Sequence, residues 1–314
     1  MKFLVITNCT SRKRASGIVT TSNDPFKFNS LTGLANAWVK RLSEARDRTT
    51  VIDLYQGRAF SESRHAARLL GAGVHVISAG LGLVDEMATV PPYSLTTSPG
   101  EGSIKKWLEV QNASSSDWWT ALTEELGTPR PLSALVNASA PTTTVLIALP
   151  ASYLGMVMRD LVHVDPDSAG RLRIFTSDAG ARMLPVHLKA VAMPYDDRLE
   201  GLPTHAGTRT EFPHRALRHF VEKLNAHRLP LQEAKDAVVS SLEGAQIRIT
   251  PKRAKATDAT VGQLVRANWA AHGGSSGRLL RFLRDDAMVA CEQSRFRSIW
   301  TEIHAEMKSA GVTA

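Results

Sequence analysis

Residues 74–93 read VHVISAGLGLVDEMATVPPY, and the fold of the chain is read outward from them. Val74, Val76 and Ile77 are β-branched and apolar, the composition of a buried strand. The run breaks at Ser78-Ala79-Gly80-Leu81-Gly82, where two glycines permit close approaches that a Cβ forbids. Asp85 follows three residues after Gly82, and Pro91-Pro92-Tyr93 closes the stretch. A strand running into a glycine-rich turn is a common ligand site in an open α/β sheet. The competing reading is a tight structural turn with a solvated carboxylate.

Toward the N-terminus, Phe3–Thr7 (FLVIT) reads as a strand that ends in Asn8-Cys9-Thr10-Ser11-Arg12-Lys13-Arg14. Small polar residues and cations after a first strand suit an anion or nucleotide cradle, or else an exposed basic loop. Thr50–Leu54 is expected to be a strand leading into Tyr55-Gln56-Gly57-Arg58. Further strands are expected at Thr144–Leu149, Leu172–Thr176 and His187–Met193, the second of them ending in Ser177-Asp178-Ala179-Gly180. Helical spacing covers Leu31–Ala45, Ser61–Leu70, Ile104–Val110, Trp118–Leu126 and Tyr153–Leu161. This alternation predicts an α/β fold with a mostly parallel sheet flanked by helices. Right-handed crossovers would then bring Asn8, Tyr55 and Ser78 to one sheet edge. Trp107, Trp118 and Trp119 read as core, with base stacking as the alternative.

A linker is expected at Ala226–Leu231, dividing residues 1–226 from a small, mainly helical, basic domain at 227–314. Helical patterns there cover Gln232–Leu242, Val261–Ala271, Gly277–Asp285 and Phe296–Met307, with a short extended piece at Gln246–Thr250. Arg278, Arg281 and Arg284 recur at i, i+3 and i+6, so they drift slowly around one helix face. With Lys252, Arg253 and Lys255, and with Arg12 and Arg14 of the first loop, they are candidate DNA contacts. The plain alternative is a solvated cationic surface.

The bulk numbers agree with a nucleic-acid partner. The chain has 314 residues and a formal net charge of +8. Residues 228–314 alone carry 13 Lys and Arg against 9 Asp and Glu. A basic excess favours a polyanion, nucleic acid before membrane surface. Two cysteines exclude a disulfide framework, offer no metal-ligand spacing and suit a reducing cytoplasm. No apolar run suffices for a signal peptide or for the roughly 18 residues of a membrane span. No metal, cofactor or obligatory protein partner is expected.

Four motifs together are familiar: Cys-x-Ser-x-Lys (Cys9, Ser11, Lys13), Leu-Tyr-x-Gly (Leu54, Tyr55, Gly57), the run from Ser78 to Asp85, and Pro92-Tyr93. As a set they resemble the DUF6884 family, which looks related to the peroxide-stress YaaA proteins and more distantly to the uracil-DNA-glycosylase-like fold. The resemblance spans residues 1–95 by motif and reaches about 225 by strand order; residues 228–314 lie outside it. Leu81 stands where that family often has an aromatic. The resemblance implies a base-handling domain with DNA-glycosylase-like architecture. It places Asn8 where such enzymes orient water or steady the sugar cation. It also suggests a glycosylase directed against modified bases of invading phage DNA.

Cleaving an N-glycosidic bond needs an ordered water, negative charge or a dipole near an oxocarbenium-like sugar, and a donor to the departing base. Asn8 and Asp85 are the expected catalytic pair. Lys13 and Arg58 would hold a flanking phosphate or the base anion, and Tyr55 and Tyr93 would stack on the base. Cys9, Ser11, Gly57, Ser78, Gly80 and Gly82 would line the substrate site, joined by Ser177 and Asp178. A base in duplex DNA must first be flipped out, which calls for a cationic surface gripping phosphates. Cys9 as a nucleophile has no activating His nearby in sequence. Two other readings stay open: an N-glycosyl hydrolase or transferase of free nucleosides, and a non-enzymatic DNA-binding stress or defence protein.

Overall fold

The computed structural model describes residues 2–14, 18–20, 27–247 and 253–309. Lys252, and Arg248–Thr250 of the expected extended piece, lie outside the described residues. The chain divides into two units, Met1–Arg248 and Ile249–Ala314. The boundary is therefore some 20 residues later than Ala226, and the cause is packing. The helix Leu231–Leu242 buries Ala234, Val238 and Leu242 in the core of the first unit.

The first unit is an α/β structure on a five-stranded sheet. Its strands are β1 (Lys2–Asn8), β2 (Gly73–Ser78), β3 (Gly82–Asp85), β4 (Thr143–Ala148) and β5 (Leu172–Phe175), in the order β3-β2-β1-β4-β5. The pairs β1–β2, β1–β4 and β4–β5 are parallel, and only the edge strand β3 is antiparallel. Every residue of β4 and β5 is buried, as expected of parallel strands covered on both faces. Helix α1 (Leu31–Glu44) packs on α3 (Ser115–Glu125), while α2 (Arg58–Leu70) packs on α4 (Phe212–Arg218) and on β1. Ser30 caps α1 by accepting from Gly33 N, and Ser114 with Asp117 closes a capping box on α3.

Two expected strands are not strands. Val51–Leu54 is a helical turn after a two-residue strand at Thr49–Thr50. Val186–Lys189 is also a helical turn, and only Ala192 bridges to Ile174. Both runs are short and apolar, and such runs fit either period until tertiary packing decides. Strand β3 was not expected at all.

The order of the sheet positions the site. The chain leaves β1 toward β2 on one side, and later places β4 on the other. The carboxyl end of β1 is therefore a topological switch point, where open α/β sheets keep a crevice. No helix among the described residues is long and apolar enough to cross a membrane.

The second unit has its own core, in which Val261, Val265, Trp269, Leu279, Leu283, Phe296 and Ile303 are buried. Three helices, α5 (Asp258–Ala267), α6 (Ser276–Asp285) and α7 (Gln293–Ser309), accompany two short parallel strands, Ala254–Lys255 and Val289–Ala290. It is small, mainly helical and basic at its surface, with Arg278, Arg281 and Lys255 exposed.

Candidate functional site

Asn8 ends β1 at the switch point and is buried. Its amide is held from two directions. Nδ2 donates to the Cys9 carbonyl at 2.8 Å, and Oδ1 lies 2.9 Å from Nε2 of His214 on α4. Oδ1 can only accept, so the imidazole carries its proton on Nε2. Burial, the largest influence, lowers the His214 pKa to about 4 and keeps the ring neutral. The amide also donates toward the Tyr153 phenol, so one lone pair of Oδ1 is left over to hold a water.

Beside Asn8, the Cys9 thiol meets Tyr153 Oη at 3.0 Å, and that hydroxyl reaches the Cys9 carbonyl at 3.2 Å. Tyr153 follows β4, so β1 and β4 meet here through side chains. Burial pushes the Tyr153 pKa well up and keeps the phenol protonated.

A second network runs under the glycine turn. Ser78 Oγ accepts from Gly80 N at 3.2 Å and Leu81 N at 3.0 Å. Its own proton then goes to Tyr93 Oη at 2.6 Å, and Tyr93 donates to Tyr55 Oη at 2.8 Å. Burial raises both phenol pKa values. Trp118 Nε1 donates to Ala79 O and Trp38 Nε1 to Gly80 O, each at 2.7 Å. A Cβ on Gly80 would lie 2.5 Å from the Tyr93 ring. Gly80 is thus a close-packing glycine, and Gly82 turns the chain at φ +71°. The tight-turn reading holds: this loop is a packed brace whose carbonyls are taken by tryptophans.

Several expected roles change accordingly. Tyr55 and Tyr93 are buried with bonded hydroxyls, and Lys13 Nζ covers the Tyr93 ring at 4.3 Å, so neither ring is open for a base. Trp107, Trp118 and Trp119 are core. Tyr55 reaches the cluster without a strand, because its backbone bridges Lys13 and flanking bonds join Arg14 N to Leu54 O and Gln56 N to Arg12 O.

Asp85 does not join Asn8. It pairs in register with His75, which pairs with Ile6, putting it two strands and two residues from Asn8. Standard strand spacings make that about 12 Å between Cα atoms. Its carboxylate accepts from Met87 N at 2.8 Å and lies 3.7 Å from His75, with a side chain 48% exposed. The expected Asn8–Asp85 pair is therefore corrected: Asp85 is an edge-strand turn residue.

The other candidates divide. Gly57, at φ +115°, precedes α2, and Arg58 pairs with Glu62 at 3.0 Å while donating to Ala206 O. Ser177 caps the short helix Asp178–Met183, and the exposed Asp178 pairs with Arg182. These two follow β5, two strands from β1, and make no side-chain bond to the Asn8 cluster. Ser11, Arg12 and Arg14 are exposed. His214 and Tyr153 are the groups that sequence reasoning missed. For His214 the signal was spacing: His214, Leu217 and Val221 fall on one helical stripe and all are buried. Among the described residues no group of three or more His, Cys, Asp or Glu could hold a metal ion.

In the second unit two adjoining concavities share Arg253 and Arg284. One, of about 430 Å³, is completed by Ala290, Cys291 and Glu292. The other, of about 370 Å³, is completed by Gly277, Leu280, Arg281 and Asp285. Arg253 pairs with Asp285 at 3.0 Å, whereas Arg284 donates to the neutral Cys291 carbonyl at 2.9 Å.

The chain matches no protein-family model, no curated protein and no solved structure.

Proposed function

We propose that the protein is a cytoplasmic DNA glycosylase that hydrolyses the N-glycosidic bond of a modified base, in defence against invading DNA. The observation that carries the reading is the Asn8 amide, clamped by His214 and the Cys9 carbonyl at the sheet's switch point. Its remaining Oδ1 lone pair orients a water toward C1′ of the sugar. The C1′–N bond breaks, the water oxygen bonds to C1′ and gives up one proton to solvent, and the base leaves with a proton from Lys13. Asp85 has no part in this. The developing sugar cation faces the Asn8 amide dipole, and Lys13, on the loop after β1 and close enough to Cys9 to feel its charge, protonates the departing base. The motif resemblance of residues 1–95 supports a base as the ligand, and Arg253, Arg278, Arg281 and Arg284 suit a phosphate backbone.

The test is mass spectrometry of products from modified and unmodified DNA. Released free base from one modified DNA, lost in Asn8→Ala, is the expected result. Turnover of free nucleosides without DNA, or DNA binding with no released base, would replace this reading.

A further inference from the structure

Lys13 is set apart from the lysines that form ion pairs. Lys40, Lys105 and Lys223 pair with Glu44, Glu109 and Glu222 on the surface. Lys13 instead lies partly buried, and among the described residues no Asp or Glu oxygen comes within 4.0 Å of its Nζ. Lysines are seldom sequestered without a carboxylate. Nothing here is loose. The Lys13 backbone bridges Tyr55, bonded pairs lie on either side, and Nζ rests 4.3 Å from the centre of a ring that Ser78 and Tyr55 hold by its hydroxyl. Burial lowers the pKa of the amine, with Cys9 opposing, and so raises the fraction with a free lone pair.

We propose that Lys13 is an amine nucleophile whose target is the ring-opened C1′ aldehyde of an abasic deoxyribose. The idea rests on the base-excision reading, since that reaction makes such an aldehyde next to the loop that carries Lys13. Having given a proton to the departing base, the amine is neutral and ready to attack. Nζ bonds to C1′ to form a carbinolamine. Loss of water then leaves a C1′=Nζ imine, the aldehyde oxygen departing with two protons from the amine. A covalent hold of this kind would keep the damaged strand on the protein after the base has gone.

The experiment supplies the abasic site ready-made, so it does not depend on any base being excised. Full-length protein is incubated with an oligonucleotide bearing one abasic deoxyribose and with cyanoborohydride, which delivers hydride to C1′ and fixes the adduct as a secondary amine. The expected result is a covalent protein–DNA species whose cross-linked peptide contains Lys13, reduced at least 10-fold in Lys13→Arg, which keeps a cation over Tyr93. Absence of an adduct, attachment mapped to another lysine, or undiminished trapping by folded Lys13→Arg would each overturn the proposal. Peptide mapping on the unaltered protein decides the matter even if the variant fails to fold. A protein that traps the abasic site but releases no base from any DNA would keep this inference and discard the base-excision reading.

Discussion

His214 Nε2 lies 2.9 Å from Asn8 Oδ1, joining residues 206 positions apart at the end of the central strand. The contact is between a neutral donor and a neutral acceptor, both buried, so each depends on the other. Asn8→Ala would leave a buried N–H with no partner, at a cost of about 1–3 kcal/mol. The variant should unfold at lower denaturant concentration and lose base release by a factor on the order of 100. Full turnover in this variant would remove Asn8 from the mechanism.

Acid should destabilise the first unit earlier than carboxylate titration alone would. Burial holds the pKa of His214 and of His219 at about 4, against an ordinary 6.5, and also lowers His75 and His227. Well above pH 6.5 these rings are neutral whether folded or not, and contribute no pH dependence. As the pH falls from 6.5 to 4 the unfolded chain takes up protons that the folded chain refuses, so stability drops. His214 alone accounts for roughly 3 kcal/mol over that window. Glu222, lowered to about 2 chiefly by its hydrogen bond from Arg218, adds a further loss below 4.5. Urea unfolding at pH 7, 5.5 and 4.5 checks the order.

Gly80→Ala should cost about 1–3 kcal/mol, the range for an overpacked core. The new methyl would meet Tyr93 at 2.5 Å, and Tyr93 cannot yield without breaking its bonds to Ser78 and Tyr55. A variant with unchanged thermal unfolding would show that the brace is softer than its bonding implies.

Asp85→Asn should leave base release within about twofold of the parent and change stability by under about 1 kcal/mol, as befits an exposed pairing. A large loss of release would return Asp85 to the site.

Arg278→Gln with Arg281→Gln should weaken DNA binding without unfolding the second unit, since both side chains are exposed. The slope of log affinity against log salt should shrink by up to about 2, near 0.9 per lost phosphate contact. An unchanged slope in a filter-binding or anisotropy titration would place the DNA surface elsewhere.

The four parallel strands were legible because each is a run of β-branched or apolar residues, broken at most once (His75, Arg173) and bounded by turn residues, as in FLVIT and TVLIAL. Thr50–Leu54 and His187–Met193 were not, since a handful of apolar residues satisfies a helical turn as well as a strand. The edge strand Gly82–Asp85 hid behind its glycine. The same glycine run looked like a cradle, because spacing cannot tell a loop open to a ligand from one closed by tryptophans arriving from Trp38 and Trp118. Cluster members contributed by adjoining strands or by the loop after β1, such as Asn8, Lys13 and Ser78, could be picked out in advance. His214 was not picked out, although its spacing with Leu217 and Val221 was there to read, because a histidine inside THAGTRTEFPHR looks solvated until α4 docks.

The order of the sheet also bears on how the chain is made. β1 emerges first and ends in the middle, but its β4 neighbour begins only at Thr143, 65 residues after β2 ends at Ser78. At about 5–20 residues per second, a ribosome leaves one flank of that strand bare for roughly 3 to 13 s. During this interval the nascent polypeptide offers an unpaired hydrophobic edge to any neighbour. Fragments that stop short of Ala148 should therefore cling to chaperones or precipitate, however sound their individual helices.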